Sequence, residues 1–208
     1  MHNALRSLLM LFAVTILTGC AFGQKISYTR VSYFQVPPNI QKQVGLAVSD
    51  KRPAVVSGDH SLQWVGYSRP PFGIPYGVHT ATGRPLSDDF VSLLQSSLAN
   101  HSIVAQTVST QPFESREVVV QRLASLNVPR SFLVTLNEWK TDSYVGLLVS
   151  LYYSVTLEAI DAKGRSVTTA SAAGVRDISG SYPLDWAVRD IFTELFNSPQ
   201  MLTSGEDA

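Results

Sequence analysis

The stretch "GLLVSLYYSVTLEAID", residues 146–161, decides the fold. Leu147, Val149, Leu151, Tyr153, Val155 and Leu157 recur at every second position, with Leu148, Ser150, Tyr152, Ser154, Thr156 and Glu158 between them. A helix would scatter both sets around its axis, whereas a strand puts each set on its own face. A run of this length at period two is a strand, apolar on one side, and not a membrane helix. "DAKG" (161–164) follows as a tight turn, and "RSVTTASAAGVRDIS" (165–179) returns as the hairpin partner. Upstream, "SFLVTLNEWK" (131–140) alternates in the same way. The C-terminal part is three consecutive strands.

Earlier elements read differently. "QVGLAVSD" (43–50) is a β-rich apolar run stopped by charge and Pro53, and predicts a buried strand. Residues 57–86 carry Gly and Pro at close intervals and read as a long ordered loop. "LSDDFVSLLQSSLANH" (86–101) places Ser87 as a helix N-cap with Asp88 and Asp89 in the first turn. Phe90, Leu93, Leu94 and Leu98 form its apolar face. "SIVAQTV" (102–108) is a short strand, and "SREVVVQRLASLNVP" (115–129) starts a second helix after Ser115 that stops near Asn127. Pro183 opens a last helix with Leu184, Val188, Ile191 and Leu195 on one face, ended by Asn197 and Pro199. Residues 201–208 are expected as a disordered tail. The elements do not alternate strictly. They predict one α+β domain over 44–200, a mixed, largely antiparallel sheet with helices packed on one face.

The N-terminus supplies an address. "LLMLFAVTILTGCAFGQ" (8–24) follows Arg6 and holds the chain's one cysteine. Its apolar run is too short to span a hydrocarbon core, which takes roughly 20 residues, and has the layout of a secretory signal. "LTGC", with Leu17, Thr18, Gly19 and Cys20, resembles the bacterial lipobox. That resemblance implies cleavage of residues 1–19 and acylation of Cys20. The next residue is Ala21, not the aspartate of inner-membrane retention, so the resemblance implies anchoring in the inner leaflet of the outer membrane, facing the periplasm. With its single thiol lipidated the chain forms no disulfide, and the domain stands on its core alone. The following "AFGQKISYTRVSYFQVPPNIQKQ" (21–43) carries Ile26, Tyr28, Val31, Tyr33 and Phe34 too thickly for a solvated linker. It reads as a packed arm or edge strand ended by Pro37-Pro38, leaving a free tether of about five residues, under roughly 20 Å.

Composition removes several function classes. Lys plus Arg and Asp plus Glu balance at 16 each, with no basic cluster, which argues against nucleic acid as a partner. An apolar fraction of 45% suffices for a core. "SGDHSL" (57–62) echoes the GDS-L block of lipolytic hydrolases, but His60 stands where the nucleophilic serine belongs, and no Asp-x-x-His pair follows. His60, His79 and His101 lack metal-ligand spacing. Asp50, Asp59 and His60 would need the fold to converge, and solvated loop residues are the simpler account. Asp88 and Asp89 point about 100° apart on a helix and are explained by its dipole. No metal, cofactor or enzymatic activity is expected.

The loop remains. Trp64, Tyr67, Phe72 and Tyr76 are interleaved with Arg69 and Arg84, with Arg52 upstream. Aromatics and arginine are enriched at binding hot spots, and prolines pre-order a loop. These seven residues are the candidate partner-binding surface; the competing account is that the aromatics plug one end of the sheet. A lipobox, a first strand "VGLAVSD" with Arg52 close behind, a helix, and a late hairpin with a closing helix together resemble the YajG-type envelope lipoproteins. More distantly they resemble the amino-terminal domain of TolB and the curli secretion lipoprotein. The resemblance covers about residues 44–197 and implies a non-enzymatic accessory subunit of an envelope assembly with an envelope protein as partner. The alternative is a lipid- or glycan-binding periplasmic module with an apolar groove between sheet and helices.

Overall fold

The computed structural model describes residues 24–28, 33–144, 148–179 and 183–203; Cys20, Val31 and Leu147 lie outside them. The frame is an antiparallel trunk of long strands. β6 (Arg130–Tyr144) and β7 (Leu148–Asp161) pair from Arg130 opposite Asp161 to Tyr144 opposite Leu148. β8 (Ser166–Asp177) continues the trunk beyond β7, across a turn where Gly164 takes φ +78°.

On its other edge β6 is shared by two strands. β2 (Gln43–Asp50) pairs in parallel with 130–136, and β3 (Trp64–Arg69) pairs in parallel with 141–144. Beyond β2 lies β5 (Val104–Val108), parallel; beyond β3 lie β4 (Tyr76–Thr80), antiparallel, and β1 (Lys25–Ile26), parallel to β4. The eight-stranded sheet therefore forks. At the fork β6 carries a bulge between Leu136 and Glu138, which exchanges the faces of odd and even residues. Trp139 thus continues the buried face begun by Phe132, Val134 and Leu136.

That face is covered by α2 (Leu86–Asn100) and α4 (Leu184–Phe196). Phe90 meets Trp139 edge-on at 4.8 Å between ring centroids and Phe192 at 5.6 Å. Leu151, Val155 and Leu157 of β7 point into the same core, so the period-two pattern corresponds to a buried side. The expected arm is packed where described: Tyr28 and Phe34 are fully buried, and Phe34 stacks on Phe196 at 5.0 Å.

Four expectations are amended. Helices occupy both faces, because α3 (Arg116–Ala124) packs Val119, Val120 and Leu123 on the opposite side against Ala47, Leu133 and Ile160. Its start is as expected, with the Ser115 hydroxyl accepting from the Val118 N–H at 3.5 Å. Ser87 is not the N-cap of α2. Leu86 is itself core, so the helix begins two residues earlier, behind extended Pro85. The loop expected over 57–86 follows a short helical turn α1 (Pro53–Val56) and contains the β3–β4 hairpin. The tail expected over 201–208 starts too early, since α5 (Pro199–Thr203) puts Met201 into the core. Among the described residues no helix is long and apolar enough to cross a membrane.

β7 sets up a direct test. Leu151 is fully buried, whereas Ser150 lies half-buried on the other side. Leu151→Asp should cost several kcal/mol, enough to unfold a marginal domain, and Ser150→Asp far less. Equal melting temperatures for the two variants would reject the one-sided strand.

Candidate functional site

β2 ends its pairing at Leu136 and β3 begins at Thr141, so residues 137–140 of β6 have no strand on that edge. Arg52 enters this gap. Its Nε and Nη2 donate to the two carboxylate oxygens of Asp50 at 2.8 and 2.7 Å. Its Nη1 donates to the carbonyls of Trp64 at 2.6 Å and Trp139 at 3.1 Å. Both side chains of the pair are 3% exposed. One guanidinium thus satisfies a buried carboxylate and joins the two branches of the sheet. Lys51 N–H adds a bond to Leu136 O at 2.9 Å. Beneath it, Trp139 Nε1 donates to the Tyr28 hydroxyl at 3.0 Å, and burial pushes that hydroxyl's pKa well above the usual range despite this bond.

Over the fork opens a cleft of about 450 Å³. His60 stacks on Trp64, 4.1 Å and 7° between the rings, and its Nε2 shares a 2.7 Å hydrogen bond with the Tyr67 hydroxyl. Arg69 grips Asp142 of β6 through two bonds, 2.7 and 3.0 Å, which hold its guanidinium above its already high pKa. Arg69 also lies over the Tyr67 ring at 5.7 Å. Across the cleft Lys140 pairs with Glu138 at 2.9 Å and sits 4.8 Å over Tyr152. Cations beside aromatic faces suit planar, anionic or carbonyl-rich groups. Among the described residues, no serine, threonine or cysteine lines the cleft.

The candidate residues separate into three groups. Arg52 and Trp64 are buried and hold the fork. Tyr67 and Arg69 line the cleft. Phe72 and Tyr76 lie outside it, on the hairpin tip and at the start of β4, with Phe72 94% exposed. Arg84 is elsewhere: it binds Asp89 at 2.9 Å and lines a separate groove of about 260 Å³ beside α2. Burial raises the pKa of Asp89, while Thr82 and Arg84 pull it down. Sequence reasoning missed His60, treated as a solvated loop residue, and Glu138, Lys140 and Asp142, whose positions depend on the bulge in β6.

The convergence considered for Asp50, Asp59 and His60 does not form a cluster. Asp50 is held by Arg52, Asp59 accepts from Ser57 at 2.8 Å, and His60 faces Trp64 and Tyr67. Among the described residues no group of three His, Cys, Asp or Glu is placed to hold a metal ion. The apolar groove considered between sheet and helices is filled by Phe34, Phe90, Phe192 and Phe196.

No known family matches the sequence, and no curated protein does either. Solved structures similar in shape include the protein XCC0632 from Xanthomonas campestris, 12% identical, with a TM-score of 0.47 over 88% of this chain and 93% of that one. A PelC dodecamer structure from Paraburkholderia phytofirmans is 13% identical, with a TM-score of 0.41 over 85% and 94%. The lipoprotein GNA1162 from Neisseria meningitidis is 12% identical, with a TM-score of 0.38 over 74% and 97%.

The fork makes its own prediction. Arg52→Ala leaves Asp50 buried and unpaired and should cost about 3–5 kcal/mol, whereas Arg52→Ala with Asp50→Ala should recover part of the loss. Chemical denaturation checks this; a cost under about 1 kcal/mol for the single variant would remove Arg52 from its role at the fork.

Proposed function

We propose that the chain is a non-enzymatic lipoprotein, anchored through acylated Cys20 to the periplasmic face of the outer membrane, that serves as an accessory subunit of an envelope assembly. The lipobox "LTGC" and Ala21 support the address, and the likeness in element order to YajG-type lipoproteins supports the class. The observation that carries the binding role is the Tyr67–Arg69–Lys140 rim of the cleft. It is preordered by ion pairs and ring contacts, so a partner meets it at little entropic cost. The residues suit a protein segment presenting carboxylates or backbone carbonyls.

Cys20→Ser should accumulate as an unprocessed precursor without labelled palmitate, and Ala21→Asp should fractionate with the inner membrane. A photo-crosslinker in place of Tyr67 should capture an envelope protein in intact cells, and Arg69→Ala with Lys140→Ala should abolish a crosslink formed from Asn137 while melting changes little. Wild-type processing of Cys20→Ser rejects the anchor. A crosslink that survives the double variant rejects the cleft.

A further inference from the structure

One end of the sheet gathers exposed apolar side chains that the cleft does not use. Phe72 is 94% exposed, Ile74 88%, Leu148 64%, Tyr144 53% and Tyr76 39%. Strand register puts them at the same end of the sheet, Tyr144 and Leu148 on one face and Tyr76 on the other. Arg69 pairs with Tyr144, Ser68 with Tyr76 and Tyr144 with Leu148, while Phe72 and Ile74 sit on the connection from β3 to β4. Residues 70–80 and 143–157 contain no Asp, Glu, Lys or Arg. Soluble domains rarely leave such a patch uncovered.

The route of the chain says what covers it. β1 runs parallel to β4, with Lys25 opposite His79 and Ile26 opposite Thr80. His79 N–H donates to Gln24 O at 3.1 Å. The N-terminal end of β1, at Gln24, therefore points toward the residues preceding His79, which is the Tyr76 end. Cys20 lies five residues before Lys25 and can stand at most ~18 Å from it. From His79 back to Tyr76 is already ~10 Å of strand. An acylated Cys20 thus holds the membrane surface within reach of this end, no more than ~18 Å of chain from Lys25. Tyr76 and Tyr144 are of the residue type enriched at membrane interfaces.

We propose that the sheet end bearing Phe72, Ile74, Tyr76, Tyr144 and Leu148 rests in the lipid surface that holds Cys20. This rests on the anchor proposed above and adds an orientation to it. The trunk stands up from the membrane, and the cleft, only three residues from Phe72 at Arg69, opens just above the headgroups. The turn at Lys163, at the other end of the 14-residue β7, is the part most distant from the bilayer, on the order of 45 Å away.

The test uses the full acylated protein with a cysteine introduced at Phe72, Ile74, Leu148 or Lys163 and labelled with an environment-sensitive dye. It is reconstituted in vesicles of phosphatidylethanolamine and phosphatidylglycerol carrying a shallow nitroxide lipid. Emission at 72, 74 and 148 should shift to the blue and fall several-fold with the nitroxide, and emission at 163 should not change. Phe72→Asp with Ile74→Asp should reduce the quenching at 148. Vesicle-bound protein with a water-like dye at 72 overturns the proposal and leaves the anchor standing. So does a dry dye that the nitroxide lipid fails to quench, which would mean a protein cover, and so does equal quenching at 163. Cys20 reports on the anchor itself: a second dye per chain means a free thiol, and then anchor and proposal fall together.

Discussion

Arg52 joins two half-sheets that share one strand. β6 is long enough to carry β2 along its first half and β3 near its end, and two parallel neighbours cannot merge without leaving backbone unpaired between them. The guanidinium fills that interval with bonds to Trp64 O and Trp139 O, and Asp50 neutralises it. A lysine could supply the charge but not the planar fork that reaches a carboxylate and two carbonyls at once. Arg52, Trp64 and Trp139 of this junction also line the cleft above it.

Around the fork the two faces of the sheet do different work. One is closed by α2 and α4 and by Tyr28 and Phe34 of the arm, giving a core of interlocking aromatic rings. The other is covered by α3 at only one end, near Leu133 and Ile160. The remainder of that face shows Ser150, Tyr152, Ser154 and Thr156, all half-buried. The arm matters beyond packing. Asn197 Nδ2 donates to Gln35 O at 2.9 Å, and His101 Nε2 bonds Phe34 O at 3.1 Å, so the arm is stitched to the C-terminal ends of both long helices.

Several elements were legible from residue order because each depends on local periodicity alone. The alternation in β7, the "DAKG" turn, the apolar faces of α2 and α4 and the Ser115 cap all belong to this kind. The β3–β4 hairpin was not, because Gly66, Pro70, Pro71, Gly73, Pro75 and Gly77 read as loop. The cause is tertiary: at φ +148°, a Cβ on Gly66 would stand 1.9 Å from Thr141 O, so the glycine admits β3 to the edge of β6.

The candidate site divides along the same line. Residue types pointed to an aromatic and cationic segment between Arg52 and Arg84, and that segment does build one wall of a cleft. The roles of its members depended on burial. Arg52 went to a structural pair, Arg84 to Asp89 on another surface, and Phe72 to an exposed tip. The opposite wall, Glu138 and Lys140, comes from a strand some seventy residues away. Its outward side chains are set by a bulge at Asn137, and a one-residue change of register reverses every face beyond it. Local chemistry follows from neighbours along the chain; which side of the sheet that chemistry reaches is fixed by hydrogen-bond register between distant strands.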